Sequence, residues 1–203
     1  AVLKDGYALS DGVELGQSIY EKMEIPAGVT VQVAGSYEDQ QDSNRDLGTL
    51  GILIIILVFI VMAAQFESLT YPFIIMLSVP FAFSGIILAL LITGTNLNIM
   101  SMLGGIMLIG IVVKNGIVLI DYTNLMRERG NSLIRSATIA ARSRLRPILM
   151  TTMTTILGMF PMAISQGVGA EMWRPLGISI IGGLLVSTIL TLIYVPSMFC
   201  IIA

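Results

Sequence analysis

Apolar residues in this chain come in long unbroken runs, not in the alternation of a soluble sheet or the one-sided stripes of a surface helix. Charge-free intervals cover residues 47–66, 68–113, 147–170 and 175–203. A helix needs about 20 apolar residues to cross ~30 Å of hydrocarbon, so the second interval must hold two crossings. The polar turn "GTNLN" (94–98) separates them. The pattern predicts five spans, at 47–65, 72–93, 99–123, 147–165 and 175–201, which puts the two chain ends on opposite sides of a membrane.

Residues 1–46 follow a different pattern. "ALSDGVELGQSIYEKMEIPAG" reads as a helix capped by Ser10 or Asp11, with an apolar stripe at Leu15, Ile19 and Met23 and a stop at Pro26. "GVTVQVAG" (28–35) alternates as a strand does, and "SYEDQQDSNRD" (36–46) reads as a polar elbow. One helix and one strand cannot bury a core by themselves. The fold class expected is mainly α: a polytopic bundle of five spans at 47–203, with 1–46 a small extracytoplasmic α+β fragment of a larger domain. With no initiating Met, the chain reads as a piece of something longer.

Composition agrees with the runs: 55% of residues are hydrophobic and 12% charged, and the mean hydropathy is +0.89. These values exclude an ordinary soluble domain. Orientation comes from the loops. Arg127, Arg129, Arg135, Arg142, Arg144 and Arg146 crowd the connection between spans three and four, whereas the other side offers Lys4, Lys22, Arg45 and Arg174 among nine carboxylates before Leu47. The arginine-rich loop 126–146 is therefore expected in the cytoplasm and 1–46 outside. Within that loop, "SLIRSATIAARSRL" sets Leu133, Ile134, Ala137, Ala140 and Ala141 against arginines, as an amphipathic helix in the membrane interface would. The arginines suit anionic lipid, and the net charge of −2 gives no sign of a nucleic-acid partner.

The remaining features narrow the chemistry. Pro80 and Pro161 invite kinks, and Gly85, Gly104, Gly105, Gly110, Gly116, Gly158, Gly182 and Gly183 allow close helix approach. Cys200 stands alone and the thirteen methionines follow no ligand spacing, so both read as packing residues. With no histidine and no nucleophile–base pair in a membrane cavity, no enzyme and no bound cofactor or metal is expected.

One residue breaks the apolar rule. Lys114, in "GIVVKNGIVLIDY", lies three residues from the centre of its span, hence within ~5 Å of the midplane. Ionisable groups at that depth are paired and functional. Asp121 is seven residues away on the same helix, ~10 Å along the axis and out of ion-pair reach. Glu67, Asp46 and Glu171 lie at span ends or in loops. The partner carboxylates are therefore expected on helices outside this chain. Spans three and four are joined on one side, and their antiparallel register sets Lys114 level with Thr155, with Thr151 one turn lower. The "TTMTT" cluster (151–155) has a competing local use, since membrane threonines bond the carbonyl four residues back. Asn115, turned about 100° from the lysine, reads as an interhelical hydrogen-bond partner. A lysine whose pairing depends on ionised carboxylates senses protons and couples their flow to helix packing.

"FESLTYPFIIMLSVP", "GIVVKNGIVLIDY", "RSRLRPILMTTMTTILGMFPM" and "GGLLVSTILTLIYVP" occur in this order. With these spacings the chain, from about Ser10 onward, closely resembles the C-terminal transmembrane part of resistance-nodulation-division (RND) multidrug efflux pumps, the hydrophobe/amphiphile branch in particular. The resemblance implies drug/proton antiport, driven by the proton gradient, in a homotrimer of the bacterial inner membrane. It also implies a periplasmic adaptor and an outer-membrane channel as partners, and makes 1–46 the end of a periplasmic porter domain. It assigns the relay lysine to Lys114 in "VVKNG" with Asn115 beside it, the relay threonine to Thr151 in "RPILMT", and the cytoplasmic-end arginine to Arg144 in "RSRLRP". Thr155 matches no relay position, which ranks Thr151 above it. The relay's two aspartates belong to a span of the preceding half and have no counterpart here. The competing expectation is a non-exporter with the same membrane fold, such as a protein-translocation accessory, or a truncated scaffold subunit.

Overall fold

A computed structural model describes residues 18–19, 36–167 and 169–202. The expected strand at 28–35 lies outside them, as does the helix expected between 10 and 26 apart from Ser18 and Ile19. Among the described residues every regular element is a helix, so the mainly α class is observed and the α+β fragment is not. The chain divides into two compact units, Ala1–Gly48 and Thr49–Ala203. The membrane bundle belongs to the second.

The helices are α1 (Ser36–Phe66), α2 (Thr70–Met76), α3 (Val79–Thr93), α4 (Ile99–Glu128), α5 (Leu133–Ile164) and α6 (Ala170–Ile202). Five stretches are long and apolar enough to cross a membrane: Asp42–Phe66, Thr70–Thr93, Ile99–Glu128, Leu133–Ile164 and Met172–Ile202. The five expected spans are thus present, with three revisions. First, the polar elbow at 36–46 is helical and opens α1, because it contains neither Gly nor Pro and a polar segment is free to be helical in water.

Second, the kink anticipated at Pro80 is a full break. Pro80 occupies the first turn of α3, where its missing N–H costs nothing. The chain pauses at Leu77 and Ser78, where the Ser78 backbone N–H and hydroxyl both donate to the Ile75 carbonyl. Pro161, by contrast, sits inside an uninterrupted α5.

Third, the arginine-rich loop is mostly not a loop. Helix α4 runs on to Glu128, α5 starts at Leu133, and only residues 129–132 connect them. The amphipathic segment is the first part of α5, continuous through Pro147, so it is not a separate interfacial helix. At 1.5 Å per residue the 32-residue helix is ~48 Å long, more than the hydrocarbon core needs.

The "GTNLN" turn forms as its residues dictate. Gly94 ends α3 in the left-handed conformation (φ 62°), which only glycine adopts freely. Asn98 then caps α4 reciprocally with Ser101: Ser101 N donates to Asn98 Oδ1 at 3.0 Å, and Asn98 N donates to Ser101 Oγ at 2.9 Å. This turn and the α5–α6 connection share one end of the bundle, where residues from both, with Arg174, line a cleft of about 850 Å³.

Helix α6 is the axis of the bundle. Its most apolar stretch is 61% buried, against 11% for α5 and 6% for α1. Leu176, Ile180 and Leu184 pack with Ala82, Ile86 and Leu108 near one end, while Val195 and Phe199 pack with Ile75, Val79 and Ile120 near the other. Most of α1 and one side of α5 present bare apolar side chains. Glycines set the closest approach. A Cβ on Gly85 would lie 2.7 Å from the Gly182 carbonyl, and one on Gly182 would overlap Ala89 Cβ. Among the described residues nothing lies within 4 Å of a Cβ built on Gly110 or Gly158.

Candidate functional site

Helices α4 and α5 lie antiparallel across their short connection, and the groove between them contains a cavity of about 300 Å³. Its walls follow helical periodicity. From α4 come Ile111, Lys114, Asn115 and Val118, and from α5 come Pro147, Ile148, Thr151, Thr152 and Thr155. These residues recur at three- and four-residue intervals, so each helix turns one face to the groove. Lys114, Asn115 and Thr151 therefore meet in one place, as does Thr155.

Among the described residues the cavity wall contains no carboxylate. Asp121 is exposed two turns further along α4 and does not line it. Lys114 is itself exposed in the isolated bundle, because the groove is open on its side. Among the described residues no ion-pair partner or hydrogen bond holds its ammonium.

The threonine cluster resolves into two uses. The Thr151 hydroxyl donates to the Pro147 and Ile148 carbonyls, both at 2.9 Å, Thr154 donates to Met150 at 2.8 Å, and Thr155 donates to Thr151 at 2.9 Å. This is the local back-bonding anticipated for membrane threonines. It still leaves a function open: a hydroxyl whose proton is engaged by the backbone offers only acceptor lone pairs, and an ammonium needs acceptors. Thr152 differs, with its hydroxyl 3.2 Å from that of Thr188 on α6. This buried pair ties one wall of the cavity to the central helix.

Asn115 departs from expectation. It is half-buried and lines the cavity beside Lys114, and among the described residues its amide bonds to no other helix. The groove is wide enough to take neighbours that differ by one helical step. Asn115 thus shares the cavity with the lysine in spite of its angular offset.

Arg144 does not line the cavity. It precedes Thr151 by seven residues, ~10 Å nearer the α4–α5 connection. It is half-buried, and its guanidinium carbon lies 4.7 Å from the ring centroid of Tyr122 on α4. Tyr122 escaped attention in the sequence, although it continues the groove-facing series Asn115, Val118, Tyr122 at i, i+3 and i+7. That spacing was the signal available.

Residues 1–203 match the family described as AcrB/AcrD/AcrF. Among solved structures, the chain is similar to a heavy metal efflux pump in two crystal forms. One matches at 34% identity with a TM-score of 0.81 over 95% of this chain, the other at 32% identity with a TM-score of 0.79 over 96%. In both, this chain spans 19% of the pump's length.

Proposed function

Since the chain belongs to the AcrB/AcrD/AcrF family of RND efflux transporters, we propose that it is the C-terminal, lysine-bearing part of a proton-driven antiporter. The observation that carries this reading is the single groove holding Lys114, Asn115 and Thr151, with no carboxylate in its wall among the described residues. The cation then has two alternative sets of partners. Ionised aspartates from the preceding half hold it in one. When protons neutralise them, the ammonium turns to the Thr151 hydroxyl oxygen and the Asn115 carbonyl, and α4 and α5 re-pack. A two-state element biased by protonation drives cargo through conformation.

In this reading the complete pump is a homotrimer in the bacterial inner membrane, with 1–46 in the periplasm and 126–146 in the cytoplasm. It works with a periplasmic adaptor and an outer-membrane channel. The four motifs support the hydrophobe/amphiphile branch and a drug cargo. A second reading, a metal-ion cargo, is favoured by the likeness to a heavy metal efflux pump. Family membership supports an exporter over a translocation accessory or a scaffold.

Cells stripped of their own pumps and given the complete parent protein distinguish these readings. The expected result is ethidium efflux that stops when a protonophore collapses the gradient. Zinc or copper tolerance without ethidium efflux would favour the metal reading, and efflux that survives the protonophore would overturn proton drive.

The groove predicts unequal roles for its threonines. Thr151→Val removes an acceptor while keeping the shape of the side chain. Hydrogen bonds to charged groups are worth ~1.5–3 kcal/mol, so efflux should fall about ten- to a hundredfold at unchanged membrane insertion. Thr155→Val should change it less than about twofold, since that hydroxyl belongs to no relay position. Equal losses from both variants would contradict the assignment.

A further inference from the structure

Six arginines lie between Asn124 and Pro147, and five of them, Arg127, Arg129, Arg135, Arg142 and Arg146, are exposed. Arg144 alone is half-buried, and its Nε is shielded with no hydrogen-bond partner among the described residues. A positive-inside signal needs no such placement, because a topological arginine works from water. What Arg144 has is the face of Tyr122. Its guanidinium carbon is 4.7 Å from the ring centroid, well inside the ~6 Å within which the ring quadrupole attracts a cation. Arg127, over Phe199 at 5.9 Å and exposed, sits at the edge of that range.

The pair lies on the same seam as the lysine cavity. Asn115, Val118 and Tyr122 follow one face of α4, while Arg144, Ile148, Thr151 and Thr155 follow one face of α5 at i, i+4, i+7 and i+11. Both series run from the cavity toward the α4–α5 connection. Tyr122 is eight residues beyond Lys114 and Arg144 seven before Thr151, which places the stack ~10–12 Å inward of the cavity.

Given the lysine relay, on which this rests, we infer that Tyr122 is a positioning residue that holds the Arg144 guanidinium at the inner end of that seam. Guanidinium is always charged and more weakly hydrated than ammonium, so it can stack on a ring without a carboxylate beside it. Stacking covers one face and leaves terminal N–H donors to order water. A fixed cation there repels other cations while its donors keep a hydrated exit for the protons that pass Lys114. Without the ring, the long side chain returns to water with its sister arginines and the inner end loses its charge.

The complete pump, reconstituted in liposomes, tests this through ethidium efflux per inserted trimer and through proton leak under an imposed gradient without ethidium. Zinc replaces ethidium if zinc is what the complete pump exports. Tyr122→Phe keeps the ring face and should retain efflux within about twofold. Tyr122→Leu fills the space without a quadrupole; efflux should drop about three- to tenfold, to the level of Arg144→Ala, with increased leak. The double variant should be no worse than either single one, because both remove the same interaction. Multiplying losses, or a Tyr122→Phe as impaired as Tyr122→Leu, would overturn the positioning role. Lys114→Met run in parallel separates the two ideas. A dead Lys114→Met beside a parent-like Tyr122→Leu removes the role of Tyr122 and keeps the relay, whereas normal efflux from Lys114→Met removes both.

Discussion

Lys114→Met in the complete parent pump should reduce efflux by at least about a hundredfold while leaving expression, insertion and assembly at parent levels. Methionine approximates the length of the lysine stem and carries no charge. Removing one member of a buried ion pair costs ~3–5 kcal/mol, because the other is left uncompensated, and each 1.4 kcal/mol is about a factor of ten. Here the abandoned groups would be the carboxylates of the preceding half, which would then take up protons and keep them. Insertion should not suffer, since a lysine at the centre of a span is itself unfavourable by ~2.5–3.5 kcal/mol. Efflux and membrane expression must be measured together. Normal efflux at normal expression would sink the relay, and a variant that fails to insert would give Lys114 a structural role instead.

The geometry of the α4–α5 groove was legible because it depends on two regularities, helical period and register across a short connection. Counting along the antiparallel pair placed Lys114 opposite the 151–155 cluster, and the structure gathers Lys114, Asn115, Thr151 and Thr155 around one cavity. The turn at 94–98 was legible too, since Gly94 and Asn98 carry the local chemistry of a helix stop and a helix start. Helix continuity was not. Hydropathy reports partition between lipid and water, whereas backbone hydrogen bonding takes no account of that boundary. Hence α1 reaches back to Ser36 through residues that read as an elbow, and α5 to Leu133 through residues that read as a separate interfacial helix. The break at Leu77–Ser78 was hidden inside an apolar run, because only Pro80 marked it and proline is tolerated in membrane helices. Tyr122 was hidden differently: an aromatic near a span end reads as an interfacial anchor, and nothing in its own neighbourhood announces an arginine 22 positions later.

The groove has its shape only if α6 stays where it is, which leads to the largest expected effect on the fold. Gly182→Leu should dissociate the α3–α6 contact and lower the thermal stability of the complete pump in detergent by several degrees or more. The reason is local to the α3–α6 contact. Even a Cβ at Gly182 would overlap Ala89 Cβ and come within 2.9 Å of the Gly85 carbonyl, and the atoms it meets are backbone and a methyl group that cannot swing aside. Overpacking of this kind costs ~1–3 kcal/mol or more, which outweighs the ~1 kcal/mol that a helix gains when glycine is replaced. Gly158→Leu is the control, because nothing lies within 4 Å of a Cβ there, and it should melt with the parent. Transport adds a second readout. Helix α6 holds the cavity wall through the Thr152–Thr188 hydroxyl pair, so moving it off α3 pulls Thr151 away from Lys114 even in molecules that still assemble. A Gly182→Leu pump as stable and as active as the parent would mean that α3 and α6 do not meet at these glycines in the working trimer, and the register from which the whole groove is built would have to be redrawn.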